Sequence, residues 1–173
     1  KLCKSVDGRY MDFGAEKVVI NPFDFEARDK DDMDLGKAAA CSIIGLMATA
    51  NSKHSLDEAT VNLIKHGVRW VLDEGRGAQG SGALRELLQT FPKHAGDHHD
   101  ALAFLKERAH ELAYNLQSFA ADGEYGEFFN GPSTFNIKRD EFVVLELEKL
   151  MTRADLFNVV TLSILNAVTQ DLY

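Results

Sequence analysis

Strand-like stretches lie near both ends of this chain, and about 120 residues of helical pattern separate them. Strands that far apart must border a large helical insertion or stand alone at its edge, and that choice bounds the fold. At one end, Arg9–Phe13 alternates and Gly14-Ala15 turns. Lys17-Val18-Val19-Ile20 is then a β-branched run closed by Asn21-Pro22, so two short strands are predicted. At the other end, Phe142–Leu147 reads as a strand, and an apolar helix is expected from about Ala154, with Leu156, Val159, Val160, Ile164, Ala167 and Val168 on one face.

Between them, residues 26–34 read as an acidic linker, and a helix over roughly 35–50 is apolar nearly all round, as a central buried helix would be. Ser55-Leu56-Asp57-Glu58 has the form of a capping box. Its helix carries Val61, Ile64, Val68 and Val71 at helical spacing, with Trp70 and Leu72 beside them, and Glu74-Gly75 closes it. A glycine-rich loop, Gly75–Gly82, leads to a short helix over Leu84, Leu87, Leu88 and Phe91 that Pro92 stops. The longest helix is expected from about Asp97 to Ala120. Its narrow stripe of Leu102, Leu105, Ala109, Leu112, Leu116 and Phe119 should pack on the central helix around Ile43–Met47. Its polar flank, with Glu107 and Glu111, is then a natural contact surface. The fold class is mainly α: a helical lobe over 26–121, strands of an α/β edge over 1–25, and a loop, strand and helix returning over 122–173. A self-contained, mostly α domain with a three-stranded edge has the same pattern.

At 173 residues the chain can bury a full core. A net charge of -8 argues against a nucleic-acid surface and against adsorption on anionic lipid. Cys3 and Cys41 show no metal or redox spacing and read as reduced thiols. No leader and no apolar run of about 18 residues is visible. The opening Lys1-Leu2-Cys3, without Met, fits a segment of a longer protein or a processed precursor.

Each chemical motif has a plain competitor. Gly75–Gly82 could cradle phosphate, but no Gly-Lys-Ser/Thr ends it and no strand precedes it, so a flexible connection is expected. His94, His98 and His99 cluster, whereas His99 and His110 lie about 16 Å apart along one helix side, too far for one metal. His66 falls opposite its helix's apolar face. In Asp29–Asp34, Met33 takes a calcium-ligand position and no turn glycine is present. Glu146 and Glu148 would share a strand face and could pair for acid–base work, although Leu-in, Glu-out alternation explains them equally. No Gly-x-Ser-x-Gly elbow occurs. No catalytic, cofactor-binding or metal residue is therefore assigned.

Three stretches do resemble a known family. They are Lys1–Cys3 with Asp7–Tyr10 and Ile20-Asn21-Pro22-Phe23; Tyr125-Gly126 with Phe128-Phe129-Asn130-Gly131-Pro132-Ser133; and Phe142–Leu150 with Asp155-Leu156. In that order they resemble the region between the two nucleotide motifs of the TraC-type ATPases of conjugative type IV secretion, in the VirB/TraG P-loop group. The resemblance implies a RecA-like core with an inserted helical lobe, in a hexameric or multimeric parent that uses ATP and Mg. That parent would work at the cytoplasmic face of the bacterial inner membrane, energising pilus assembly and substrate or DNA transfer beside secretion-channel components. Neither Walker motif is present in this chain, so no Walker residue carries over and the chain alone should be inactive. Arg139 or Arg153 could reach a neighbour's nucleotide, but no motif selects one. A stand-alone helical protein–protein interaction module is the alternative reading.

Overall fold

The computed structural model describes residues 5, 8–50, 55–90, 99–135 and 142–172. Among these, strand β1 (Arg9–Asp12) is followed by helices α1 (Lys30–Thr49), α2 (Glu58–Asp73), α3 (Gly80–Thr90), α4 (His99–Asn115) and the single turn α5 (Gly126–Phe129). Strand β2 (Val143–Glu146) and helix α6 (Ala154–Leu172) complete the order. The fold is mainly α with short strands, as the sequence pattern predicts.

The two strands pair parallel, with Arg9 opposite Val143 and Asp12 opposite Glu146. The whole helical block lies between the two partners. Met11, Val143 and Leu145 pack toward the core, while Tyr10 and Phe142 are exposed. Lys17–Ile20 is not a strand, against expectation. It runs extended beside the 128–135 loop, with the Ile20 amide donating to the Phe128 carbonyl at 2.7 Å and the Thr134 amide donating to the Val19 carbonyl at 3.0 Å. The Val19 amide donates to the Thr134 hydroxyl at 2.9 Å. A side chain occupies the place of a backbone partner, so no regular ladder forms, although Val18, Val19 and Ile20 are buried.

The acidic stretch is not a linker. Asp29 caps α1 by accepting from the Asp32 amide at 2.9 Å, and Asp31 and Asp32 fill the first turn, where carboxylates favour the helix dipole. Arg28 pairs with Asp32 and holds its carboxyl below the usual range. The sign inverts the sequence reading: clustered acids here start a helix. For α2 the cap is Asp57, not Ser55. Asp57 accepts from both the amide (2.8 Å) and the hydroxyl (2.6 Å) of Thr60. It also pairs with Arg108 of α4 at 3.0 Å, a tertiary contact that ties it to α4. Glu74 and Gly75 end α2 as expected, Gly75 at φ 65°.

Helix α1 is central, packing on α2, α4 and α6 through Ala40, Ile43, Ile44 and Met47. Helix α4 ends at Asn115, short of the expected Ala120, and the chain tightens into a 3₁₀ turn at Gln117–Phe119. Its stripe is confirmed where described: Ala109, Leu112, Leu116 and Phe119 are buried and Leu105 is partly so. Its main neighbour, however, is α3, and it touches α1 less. Phe91, Pro92 and the side chain of Leu102 lie outside the described residues.

This packing separates two substitutions. Leu112→Ala removes a fully buried side chain and is expected to cost about 2–5 kcal/mol. His110→Ala, on the exposed flank, should stay within about 0.5 kcal/mol. Urea melts of the chain compare them directly, and equal losses would show the helix faces to be misassigned.

Candidate functional site

Two asparagines join three loops that are distant in sequence. Asn21 is 4% exposed. Its side-chain nitrogen donates to the Gly77 carbonyl at 2.8 Å and the Gly131 carbonyl at 2.9 Å. Its side-chain oxygen accepts from the Phe23 amide at 3.0 Å. Asn130 makes a second such bridge. Its nitrogen donates to the carbonyls of Phe119 at 3.0 Å and Gly126 at 2.8 Å, and its oxygen accepts from the Gly82 amide at 2.9 Å. Ser133 extends the join, with its hydroxyl accepting from the Asn21 amide and its amide donating to Asp24 at 2.6 Å. Each side-chain amide thus uses its donors and its acceptor on backbone groups, which is how irregular loops are buried without orphaned polar atoms.

The glycine-rich loop lies inside this latch and is not a flexible connection. Several of its amides have protein acceptors: Gln79 donates to Arg76, Gly80 to Gly77 and Gly82 to Asn130. Gly80 has φ 56°, and a Cβ there would lie 2.1 Å from the Phe129 carbonyl oxygen. At Gly77 a Cβ would lie 3.1 Å from the Phe23 carbonyl oxygen. The glycines therefore serve close backbone approach. Arg76 is also engaged: it pairs with Glu86, bonds Gln79 and lies over the Trp70 ring at 5.2 Å. No Gly-Lys-Ser/Thr ends the loop, and the Gln79, Gly80 and Gly82 amides already have protein acceptors, so these residues do not fit the phosphate cradle of a P-loop.

Beneath the latch is an aromatic cluster. Phe119 meets Phe129 edge-on at 5.6 Å and Tyr125 at 5.4 Å. Arg153 lies over the Tyr125 ring at 5.8 Å and approaches Glu124 at 3.7 Å. Burial first, then a hydrogen bond with Asp155, pushes the Tyr125 hydroxyl up from its ordinary value. Arg153 is thus held by its own chain. Arg139 lies outside the described residues.

The remaining candidates separate. Glu146 ends β2 while Glu148 begins a 3₁₀ turn, and the Glu146 carboxylate accepts from the Glu148 amide at 2.9 Å. They do not share a strand face, and Glu146 acts as a turn cap. His66 and His110 are exposed. His94 and His98 fall outside the described residues, as do Cys3 and the side chain of His99. Among the described residues no three metal-ligating side chains converge. Cys41 is a free thiol, half-buried, and burial pushes its pKa up. No described helix is long and apolar enough to cross a membrane.

The latch is built from Asn21-Pro22-Phe23 and Phe128–Ser133, two of the stretches that carry the resemblance. The sequence matches the TraG P-loop domain family over residues 1–173. The chain belongs to that family. It is also similar to Protein TraC of Escherichia coli (strain K12), at 27% identity over 176 residues, covering 99% of this chain and 18% of that protein. This member of the TraG P-loop domain family therefore spans about a fifth of the curated relative it matches. No solved structure matches it significantly. Sequence reasoning named both stretches of the latch but not their role, because the partners of Asn21 lie 56 and 110 residues away.

Proposed function

We propose that this chain is a segment of a conjugative-transfer ATPase of type IV secretion, contributing shape and subunit contacts while ATP and Mg are held by residues elsewhere in the parent. The observation that carries the reading is the family match over the whole chain, on a sequence with neither Walker motif. The sheet supports it. Parallel sheets are buried on both faces in α/β proteins, and two short parallel strands alone are marginal. The β1–β2 pair, with Tyr10 and Phe142 exposed, suits the border of a larger sheet such as a RecA-like core, with the block from α1 to α4 as the inserted lobe. In the parent, this lobe would stand at the cytoplasmic face of the inner membrane, beside other subunits and channel components, where transfer and pilus assembly are energised.

The chain alone should neither bind ATP tightly nor hydrolyse it. Calorimetry with MgATP is expected to show no heat of binding at micromolar concentration. Saturable binding, or turnover above a buffer blank, would overturn the assignment of the nucleotide to residues elsewhere.

A further inference from the structure

Asn130 and Gly131 of the latch form the one Asn-Gly pair in the sequence; every other asparagine precedes a residue that has a side chain. Such a pair is chemically labile. The glycine amide nitrogen can attack Cγ of the preceding asparagine, and no Cβ blocks its approach. The new C–N bond closes a cyclic imide, a succinimide. The bond from Cγ to the side-chain nitrogen breaks, and that nitrogen leaves as ammonia with the proton given up by the glycine amide. Water then opens the ring at either carbonyl, which leaves aspartate or isoaspartate. Water is the only co-reactant, and nothing is oxidised or reduced.

The fold requires both residues and holds both in place. The Asn130 side chain donates to the Phe119 and Gly126 carbonyls and accepts from the Gly82 amide. Gly131 has φ 96°, a setting that residues with a Cβ rarely adopt. Its amide donates to the Ala78 carbonyl at 2.9 Å, and its carbonyl accepts from the Asn21 side chain at 2.9 Å. Ring closure requires rotation about the Asn130 Cα–C bond from its extended setting at ψ 141°. That rotation carries the Gly131 amide off Ala78, and the Asn130 side chain must also leave Phe119, Gly126 and Gly82. The reaction is therefore blocked while the latch is shut. Its products cannot shut the latch again. A carboxylate has no donor for the Phe119 and Gly126 carbonyls, and isoaspartate also lengthens the main chain.

We propose that Asn130-Gly131 is a self-modification site gated by the latch. Opening of the latch exposes the pair to succinimide formation, and the product releases the loop for good, so the change from clamped to released runs one way. The inference goes beyond the proposed function and does not depend on it, since the reaction needs neither nucleotide nor a partner.

Peptide mapping by mass spectrometry, with the chain held at mildly alkaline pH, follows the conversion of Asn130. Asn62, exposed on α2 and followed by Leu63, is the internal reference. In denaturing guanidinium chloride, Asn130 is expected to convert much faster than Asn62. In native buffer it should convert at least about a hundredfold more slowly than in denaturant, since the rate follows the population of the open loop. Below the unfolding transition, added denaturant should raise the native rate only weakly, because opening a loop exposes far less surface than unfolding the chain. Ser133→Ala removes the acceptor of the Asn21 amide at the edge of the latch and should speed native conversion roughly three- to tenfold. Converted chain, separated by ion exchange, should unfold at lower denaturant than unconverted chain, and this comparison needs no substitution. The proposal is overturned if Asn130 converts as fast in native buffer as in denaturant, or no faster than Asn62 in denaturant. It is also overturned if the native rate climbs with denaturant as steeply as global unfolding does, or is unchanged in Ser133→Ala. Converted chain as stable as the original would equally overturn it.

Discussion

Phe129→Ala is expected to lower the stability of this chain by about 3–5 kcal/mol. Phe129 is fully buried and meets Phe119 edge-on at 5.6 Å, while its own carbonyl faces Gly80. Removing the ring empties the space beneath the latch. The surroundings cannot close over it, because the adjacent backbone is pinned by Asn130 to Phe119, Gly126 and Gly82. Glu127→Ala, two residues earlier and exposed, should stay within about 0.5 kcal/mol. Urea melts followed by far-ultraviolet circular dichroism compare the pair. A Phe129→Ala chain as stable as the Glu127→Ala chain would mean that the loop is not clamped.

Asn21→Asp should be about as damaging, although it leaves the side-chain shape unchanged. The acceptor on the Phe23 amide survives. The two donors do not, and a carboxylate oxygen is placed against the carbonyls of Gly77 and Gly131, at positions now 2.8 and 2.9 Å from the amide nitrogen. The site is buried, so the charge is cut off from water and faces two carbonyls, and the expected cost is about 3–5 kcal/mol. The pH dependence has a definite sign. Burial and two facing carbonyls raise the folded-state pKa of the introduced carboxyl above its unfolded value. The penalty is then full above the folded pKa, and the variant regains stability relative to wild type as pH falls through it. Melts of both chains at neutral and mildly acidic pH would show this narrowing. A constant gap would mean that the loss comes from the missing donors alone and not from a buried charge.

Much of this architecture was legible without coordinates, wherever a single element reports its own burial. The stripes of α2, α4 and α6 and the strand β2 stand out because a helix or strand that buries one face repeats its apolar residues at its own period. Gly75 and Pro22 mark breaks for equally local reasons. What failed were readings in which a distant partner overrides a local signal. Asp57 rather than Ser55 caps α2, and it is tied to Arg108 from another helix. Lys17–Ile20 has strand composition, yet its neighbour offers a hydroxyl and a turn instead of a second strand. The acidic run before α1 looked like a solvated linker because charge alone does not say whether a helix dipole begins beside it. The glycines of 75–82 suggest phosphate or flexibility by composition. Only the approach of the Phe23 and Phe129 backbones shows that they make room for protein. By itself, then, the sequence determined which residues are apolar on which face, and so a mainly α chain bracketed by short strands. The tertiary structure decided which loops meet, because a hydrogen bond between residues 110 apart depends on the placement of every helix between them.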